Sequence, residues 1–288
     1  MQRRDLLAMV AGGSVAGAVR EAVAATAAGA PGVDVAASKP RTYVLVHGAW
    51  HGGWCWKHVT PRLRAAGHAV FVPTLTGFGE RVHLSNPSIN CSTHATDVQN
   101  LIAFEDLDDV ILAGHSYAGS VVTGVADRVS ERLLRVVFVD SAPLPSGMAM
   151  ADFYPPEARA SMQEIVDRYG DGWRLPFPGW EIVGAGASLV GISDEDLLLI
   201  EARAEPQPWG SYTQPLRLEH AEPAWQGTII ACNDIMGLAD AGVPEIMQFQ
   251  QEPWQWIELP TGHWPMFSAP DELAEILDAL APDEVDAD

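Results

Sequence analysis

The sequence of 288 residues predicts an α/β fold built on a doubly wound, mostly parallel β-sheet of about six strands. Six short apolar runs are separated by stretches of helical pattern, and this alternation is typical of β-α-β units with right-handed crossovers. Each run is continuously apolar rather than alternating, as a parallel strand buried on both faces requires. A hydrophobic fraction of 48% is sufficient for one sizeable core.

The predicted elements begin near residue 42. Strands are predicted at 42–46, 69–73, 110–113, 136–140, 228–232 and 256–259, and helices near 56–66, 93–104, 117–129, 240–250 and 270–281. The gap between Asp140 and Thr228 is too long for a single crossover in this scheme. It contains helical pieces separated by Pro-, Trp- and Gly-rich stretches, so we expect a small helical cap over about 145–222 that covers the strand ends.

The two ends of the chain differ from the predicted domain at 42–282. Residues 1–30 carry Arg3 and Arg4 before an apolar run that is too short to span a bilayer, the layout of a twin-arginine export signal. We therefore expect export to the periplasm or the exterior, the alternative being an N-terminal arm on a cytoplasmic protein. Residues 31–41 have the composition of a linker, and 283–288 form an acidic, solvated tail.

The charge of the chain argues against polyanionic partners. Asp and Glu number 38 against 17 Lys and Arg, giving a net charge of -21. Nucleic acid and anionic membrane surfaces would be repelled, so neither is expected as a partner. The three cysteines, Cys55, Cys91 and Cys232, lack metal or redox spacing. One disulfide could form between them, with one thiol left over, and no metal or cofactor is predicted.

Ser116 is the predicted nucleophile. It lies in AGHSYAGS (113–120), after one predicted strand and before a helix, which is the context that a G-x-S-x-G nucleophile elbow needs. The second glycine position holds Ala118, and the glycine follows one residue later as Gly119. Small residues on both sides still satisfy the tight turn, whereas a helix-capping role would explain the serine alone.

A nucleophilic serine needs a base and an acid, expected in the order Ser, acid, His. His263 follows the last predicted strand and is the predicted base, whereas His220 lies at the end of the predicted cap. Asp234, just after the fifth strand, is the preferred acid. Asp140, at the end of the fourth strand, is the main alternative, and Asp240 lies further along.

The oxyanion hole is predicted to combine two backbone N–H groups, those of Ala49 and Tyr117. Ala49 lies in the glycine-rich loop VHGAWHGGWCW (46–56) that follows the first strand. His47, His51 and Cys55 in the same loop have a spacing that metal ligands can show. The glycine-rich turn and the lack of a neighbouring carboxylate favour the oxyanion hole instead.

These segments resemble the α/β-hydrolase superfamily, in particular the branch of plant methylesterases and hydroxynitrile lyases with bacterial esterase relatives. The resemblance is carried by residues 44–84, by 110–129 and by GHWPMF at 262–267. It implies a cofactor-free Ser-His-Asp site beneath a small cap. The lyases of this branch carry a lysine after the histidine and a threonine in the first loop, where this chain has Trp264 and Ala49, which disfavours lyase activity.

Together these observations predict a serine hydrolase that cleaves a carboxylic ester of a small, apolar or aromatic substrate through an acyl-enzyme. Tryptophans close to the predicted site suggest the apolar substrate, although each could instead pack the cap on the core. The alternatives are a lactonase, or a C–C bond hydrolase or cyclase that uses the same three residues. A different class is a non-catalytic binding protein built on the same scaffold.

Overall fold

The computed structural model describes residues 40–220 and 225–280. The predicted export signal, nearly all of the predicted linker and the acidic tail lie outside these residues. In the described ranges, no helix has both the length and the apolar character needed to cross a membrane.

A six-stranded parallel sheet forms the centre of the domain, in the order β2-β1-β3-β4-β7-β8. Its strands are β1 Thr42–Val46, β2 Ala69–Phe71, β3 Val110–His115, β4 Leu133–Val139, β7 Gly227–Ala231 and β8 Gln255–Glu258. Two further strands, β5 Arg174–Leu175 and β6 Gln207–Pro208, pair antiparallel outside this sheet. The predicted fold class is confirmed.

Helices cover both faces of the large sheet. They are α1 Thr60–Ala65, α2 Cys91–Phe104, α3 Ala118–Arg128, α4 Pro156–Tyr169, α5 Trp180–Val183, α6 Asp194–Arg203, α7 Trp209–Thr213, α8 Asn233–Asp240, α9 Pro244–Met247, α10 Pro265–Ser268 and α11 Pro270–Ala279. Short 3-10 helices lie at Gly53–Trp56, Gly79–Leu84, Ser130–Arg132, Met150–Phe153 and Gln248–Gln250.

The burial pattern explains why the strand sequences are continuously apolar. Alternate residues of β1 belong to two different buried clusters, Val44 to one and Tyr43 and Leu45 to the other. β3 shows the same division, with Leu112 on one face and Ile111 on the other. Both faces of the sheet are therefore covered, as doubly wound folds require.

One predicted helix differs from the observed structure. The pattern predicted a helix over 240–250, whereas the chain forms α8 directly after β7 and then the short helix α9. Gly242 separates them with a φ of +78°, a left-handed conformation that ends a helix, and Pro244 then begins the next one. Asp234 consequently lies in the first turn of a helix rather than in a loop.

The segment between β4 and β7, here called the insertion (residues 141–226), contains helices α4 to α7 and the strand pair β5–β6. The insertion contacts the loops at the carboxyl ends of the main strands. Glu205 N donates to Trp50 O at 2.9 Å, and His263 N donates to Ser188 O at 2.8 Å. The insertion therefore lies over the end of the sheet at which the predicted site residues cluster.

Candidate active site

The predicted site residues follow adjacent strands of the sheet. Ser116 comes directly after β3, Asp140 directly after β4, Asp234 shortly after β7 and His263 after β8. In a parallel sheet the carboxyl ends of all strands lie on one edge, so these side chains meet there although they are up to 147 residues apart in sequence.

Ser116 adopts the strained backbone of a nucleophile elbow. Its φ is +52°, in the left-handed region that non-glycine residues rarely occupy. Its N–H donates to Val139 O at 3.2 Å, and its carbonyl accepts from Gly119 N at 2.9 Å and from the Ser141 hydroxyl at 2.7 Å. These bonds to α3, to β4 and to the residue Ser141 after β4 hold the turn in place.

The two glycines of the motif are required by close packing. A Cβ at Gly114 would lie 2.8 Å from Ala118 O, and one at Gly119 would lie 2.2 Å from Ser141 Oγ and 2.8 Å from Ala142 O. Ala118 is itself fully buried without such a conflict. The late glycine of AGHSYAGS is therefore the one that the packing needs, and the methyl group of Ala118 fits.

Ser116 and His263 are directly hydrogen-bonded. Ser116 Oγ lies 2.9 Å from His263 Nε2, a distance at which the hydroxyl donates to this nitrogen whenever the imidazole is neutral. The other ring nitrogen, Nδ1, donates to Asp140 Oδ2 at 2.6 Å and lies 3.1 Å from Asp234 Oδ2. Asp234, preferred as the acid from the sequence, and its alternative Asp140 thus lie at the same ring nitrogen.

The two carboxylates are held differently. The Asp140 side chain has no solvent exposure, and its Oδ1 accepts from the backbone N–H groups of Cys232 at 3.0 Å and Ile235 at 3.1 Å. The Asp234 side chain is 23% exposed, and its Oδ1 accepts from the N–H of Ser188 at 2.9 Å. Asp140 is therefore fixed by the connection from β7 into α8, and Asp234 is fixed by the insertion.

The carboxylates determine the protonation behaviour of His263. Burial alone would lower its pKa, but the hydrogen bonds and negative charges of Asp140 and Asp234 outweigh burial and raise the pKa from 6.5 to about 9. Two other histidines face it. Burial lowers the pKa of His51 to about 4 and that of His115 well below its usual range, so both stay neutral beside His263.

The backbone of His263 is also fixed. His115 Nε2 donates to His263 O at 2.7 Å, while His263 N donates to Ser188 O in the insertion. The ring of Trp264 contacts the His263 ring edge to face, with centroids 4.8 Å apart. These contacts fix the ring position that the Ser116 bond requires.

Hydrogen bonds hold the predicted oxyanion loop in place. Leu75 N donates to His47 Nε2 at 3.0 Å, so His47 Nδ1 carries the proton and donates to Gly48 O at 2.8 Å. Trp50 has a φ of +62°, and its indole N–H donates to Leu175 O in the insertion at 3.1 Å. Within the described residues, the N–H groups of Ala49 and Tyr117 donate to no other group of the protein.

An aromatic chain connects this loop with the His263 loop across the insertion. Its ring centroids are 5.7 Å apart for Trp50 and Phe177, 5.1 Å for Phe177 and Trp180, and 5.3 Å for Trp180 and Trp264. Each pair is close to perpendicular, an arrangement that aromatic rings prefer. Aromatic rings of the insertion therefore bridge the two loops.

A surface cleft of about 420 Å³ lies elsewhere. It is lined by residues of the insertion, among them Arg159, Gln163 and Trp209, and by none of the residues around Ser116. Because neither Ser116 nor His263 lines this cleft, we do not place the reaction there.

Several sequence predictions concern residues outside this cluster. His220 is exposed and pairs with Asp127, at 3.1 Å, rather than with Ser116. Asp240 is exposed at the end of α8. Cys55, Cys91 and Cys232 are buried free thiols. Ser188 was missed, since it lies in an insertion with no periodic pattern that would mark it.

The amino-acid sequence is similar to that of known hydrolases. Residues 43–276 match the family model described as the alpha/beta hydrolase family. A carbendazim hydrolyzing esterase from Nocardioides sp. strain SG-4G is 36% identical over 253 residues, which cover 83% of this chain and 98% of that protein. Methylesterase 3 of Arabidopsis thaliana is 28% identical, covering 83% of this chain and 95% of the relative.

Solved structures show the same architecture. An extracellular alpha/beta-hydrolase from a Paenibacillus species superposes with a TM-score of 0.71 at 24% identity, covering 85% of this chain and 100% of that one. A pyrethroid hydrolase from Sphingobium faniae superposes with a TM-score of 0.65 at 23% identity, over 84% and 98% of the two chains. At these identities the likeness concerns the fold.

Proposed function

The chain belongs to the alpha/beta hydrolase family, and we propose that it is a serine ester hydrolase that works through an acyl-enzyme. The observation that carries this proposal is the continuous hydrogen-bonded series from Ser116 Oγ through His263 to Asp140, at 2.9 and 2.6 Å. The names of its relatives, an esterase and a methylesterase, agree with the ester hydrolase that the sequence predicts.

In the first half of the reaction, Ser116 Oγ attacks the ester carbonyl carbon while its proton passes to His263 Nε2. The carbonyl oxygen becomes negatively charged, and the N–H groups of Ala49 and Tyr117 donate to it. When the tetrahedral intermediate collapses, the bond between carbonyl carbon and alcohol oxygen breaks. The imidazolium then protonates the departing alcohol, leaving an acyl group on Ser116.

In the second half, His263 Nε2 takes a proton from water, and the resulting hydroxide attacks the acyl carbon. The carboxylic acid leaves, and the proton returns to Ser116 Oγ. The imidazolium that forms twice in this cycle needs a negative partner at Nδ1. We assign this role to Asp140, the nearer and fully buried carboxylate, with Asp234 as a second carboxylate at the same nitrogen.

We propose a small, uncharged ester with an apolar or aromatic part as the substrate. The aromatic series from Trp50 through Phe177 and Trp180 to Trp264 joins the loops that carry Ala49 and His263, and its rings favour apolar groups. The insertion that carries Phe177 and Trp180 would then serve as the cap of the site.

The test is a hydrolysis screen with methyl and aryl esters of graded acyl length and with lactones, each run with wild type and Ser116→Ala. We expect hydrolysis of short, uncharged esters by wild type only. Equal turnover by Ser116→Ala would contradict the proposal. Preference for lactones would retain the mechanism and change the substrate class, and product analysis separates the two.

We also propose that the protein is exported by a twin-arginine signal, a proposal that rests on the composition of residues 1–30. Fractionation of cells that express the full chain and an Arg3→Lys/Arg4→Lys variant provides the test. Export of wild type but not of the variant is expected. Equal distribution of both would contradict it.

A further inference from the structure

Three backbone and side-chain bonds of one residue connect the insertion to the candidate active site. Ser188 O accepts from His263 N at 2.8 Å, Ser188 N donates to Asp234 Oδ1 at 2.9 Å, and Ser188 Oγ lies 3.1 Å from Asn233 Nδ2. Two residues further, Val190 O accepts from Gly262 N at 3.0 Å. The segment 188–190 therefore runs alongside the turn that presents His263.

The approach is so close that only glycine fits opposite this segment. A Cβ added to Gly262 would lie 2.6 Å from both Ser188 O and Val190 O, and 2.8 Å from Val190 N. All three are backbone atoms, which cannot rotate away as a flexible side chain could. Any side chain at position 262 would push the two segments apart.

From this geometry we infer that residues 188–190 form a latch that positions His263 and Asp234 for catalysis. The latch holds the backbone of His263 directly, and it holds the carboxylate of Asp234 against His263 Nδ1 through the Ser188 N–H. A segment of the insertion thus acts as a positioning element of the active site as well as a cover. The inference rests on the proposed function, since it assigns His263 the role of base.

The latch explains why the two carboxylates have different hydrogen-bond donors. Asp140 takes its backbone bonds from Cys232, which follows β7, and from Ile235 in the first turn of α8; neither residue belongs to the insertion. The backbone bond of Asp234 comes from Ser188 alone among the described residues. Displacement of the latch should therefore release Asp234 and leave Asp140 in place.

The test is Gly262→Ala, with Gly237→Ala as the matched control. Gly237 lies in the same helix as Asp234, and a Cβ there would meet nothing within 4 Å. For Gly262→Ala we expect kcat on an activated ester to fall by about 100-fold, the scale expected for a displacement near 1 Å, with KM changed by less than about threefold. Gly237→Ala should match wild type in both parameters.

The pH profile of kcat/KM separates positioning from a general loss of structure. Release of Asp234 removes a negative charge from His263, so the midpoint of the acid limb should move to lower pH in Gly262→Ala. The double variant Gly262→Ala/Asp234→Asn should show no greater shift than either single variant. Wild-type kcat and midpoint in a folded Gly262→Ala protein would overturn the latch.

A second variant decides the question if Gly262→Ala does not fold. Ser188→Pro removes the backbone N–H that donates to Asp234 Oδ1 and keeps the carbonyl that accepts from His263 N. We expect the midpoint of the acid limb to move to lower pH, as in Asp234→Asn. A wild-type midpoint in a folded Ser188→Pro protein would overturn the latch. Activity retained by Ser116→Ala would instead contradict the proposed function, so the two failures are distinguishable.

Discussion

Replacing Asp140 or Asp234 by asparagine should show which carboxylate contributes more to catalysis. In Asp140→Asn, the side chain keeps its shape, but one acceptor becomes an NH2 group that must face either His263 Nδ1 or the N–H groups of Cys232 and Ile235. The buried NH2 group would then point at another N–H group, and neither could donate a hydrogen bond there. In Asp234→Asn, the side chain is partly exposed and can turn toward water.

The magnitude follows from the protonation of His263. Its pKa lies at about 9 instead of 6.5, which corresponds to about 3 kcal/mol in favour of the imidazolium. The buried carboxylate at 2.6 Å should supply most of this, so Asp140→Asn should lower kcat/KM by about 100-fold, or about 2.7 kcal/mol. The partly exposed Asp234 should account for about 1 kcal/mol, less than a tenfold loss.

The assay is steady-state hydrolysis of an activated aryl ester over pH 6 to 10, with each variant compared on the plateau above its midpoint. Far-UV circular dichroism serves as the control for folding. A larger loss in Asp234→Asn than in Asp140→Asn would refute the assignment of Asp140. It would support the preference for Asp234 that the sequence alone suggested.

The remaining predictions concern the elbow and the pH profile. Gly119→Ala should lower the thermal unfolding midpoint and abolish hydrolysis, because its Cβ would overlap Ser141 Oγ and Ala142 O. Ala118→Gly should cost about 1 kcal/mol of stability and retain activity. Thermal unfolding and ester turnover check both variants, and a stable, active Gly119→Ala protein would contradict the close packing at Gly119. Since only neutral His263 accepts the proton of Ser116, kcat/KM of wild type should rise with pH through a midpoint above 6.5, and Asp234→Asn should move that midpoint to lower pH. A wild-type midpoint below 6.5 would contradict the raised pKa.

The sequence predicted most of the fold because buried parallel strands leave a strong local signal. All six strands of the main sheet were located, although β4 begins at Leu133 rather than at 136 and β2 ends at Phe71 rather than at 73. The contact between Ser116 and His263 could be predicted as well, since each residue follows a strand whose carboxyl end lies on one edge of the sheet.

The choice of acid could not be made in this way. Asp140 and Asp234 follow the neighbouring strands β4 and β7, so chain position places both near His263. What separates them is side-chain direction and burial, which depend on backbone bonds from Cys232, Ile235 and Ser188. The contacts of Ser188 and Gly262 join segments about 74 residues apart and leave no periodic signal.

Trapping of the acyl-enzyme tests whether Ser116 is acylated during turnover. Wild type and Ser116→Ala are mixed with an excess of an activated aryl ester, quenched with acid within the first turnovers, and digested for mass spectrometry. We expect one acyl group on the wild-type peptide that contains Ser116 and no adduct in Ser116→Ala. Turnover without an adduct at Ser116, or turnover that survives in Ser116→Ala, would contradict acylation of this serine.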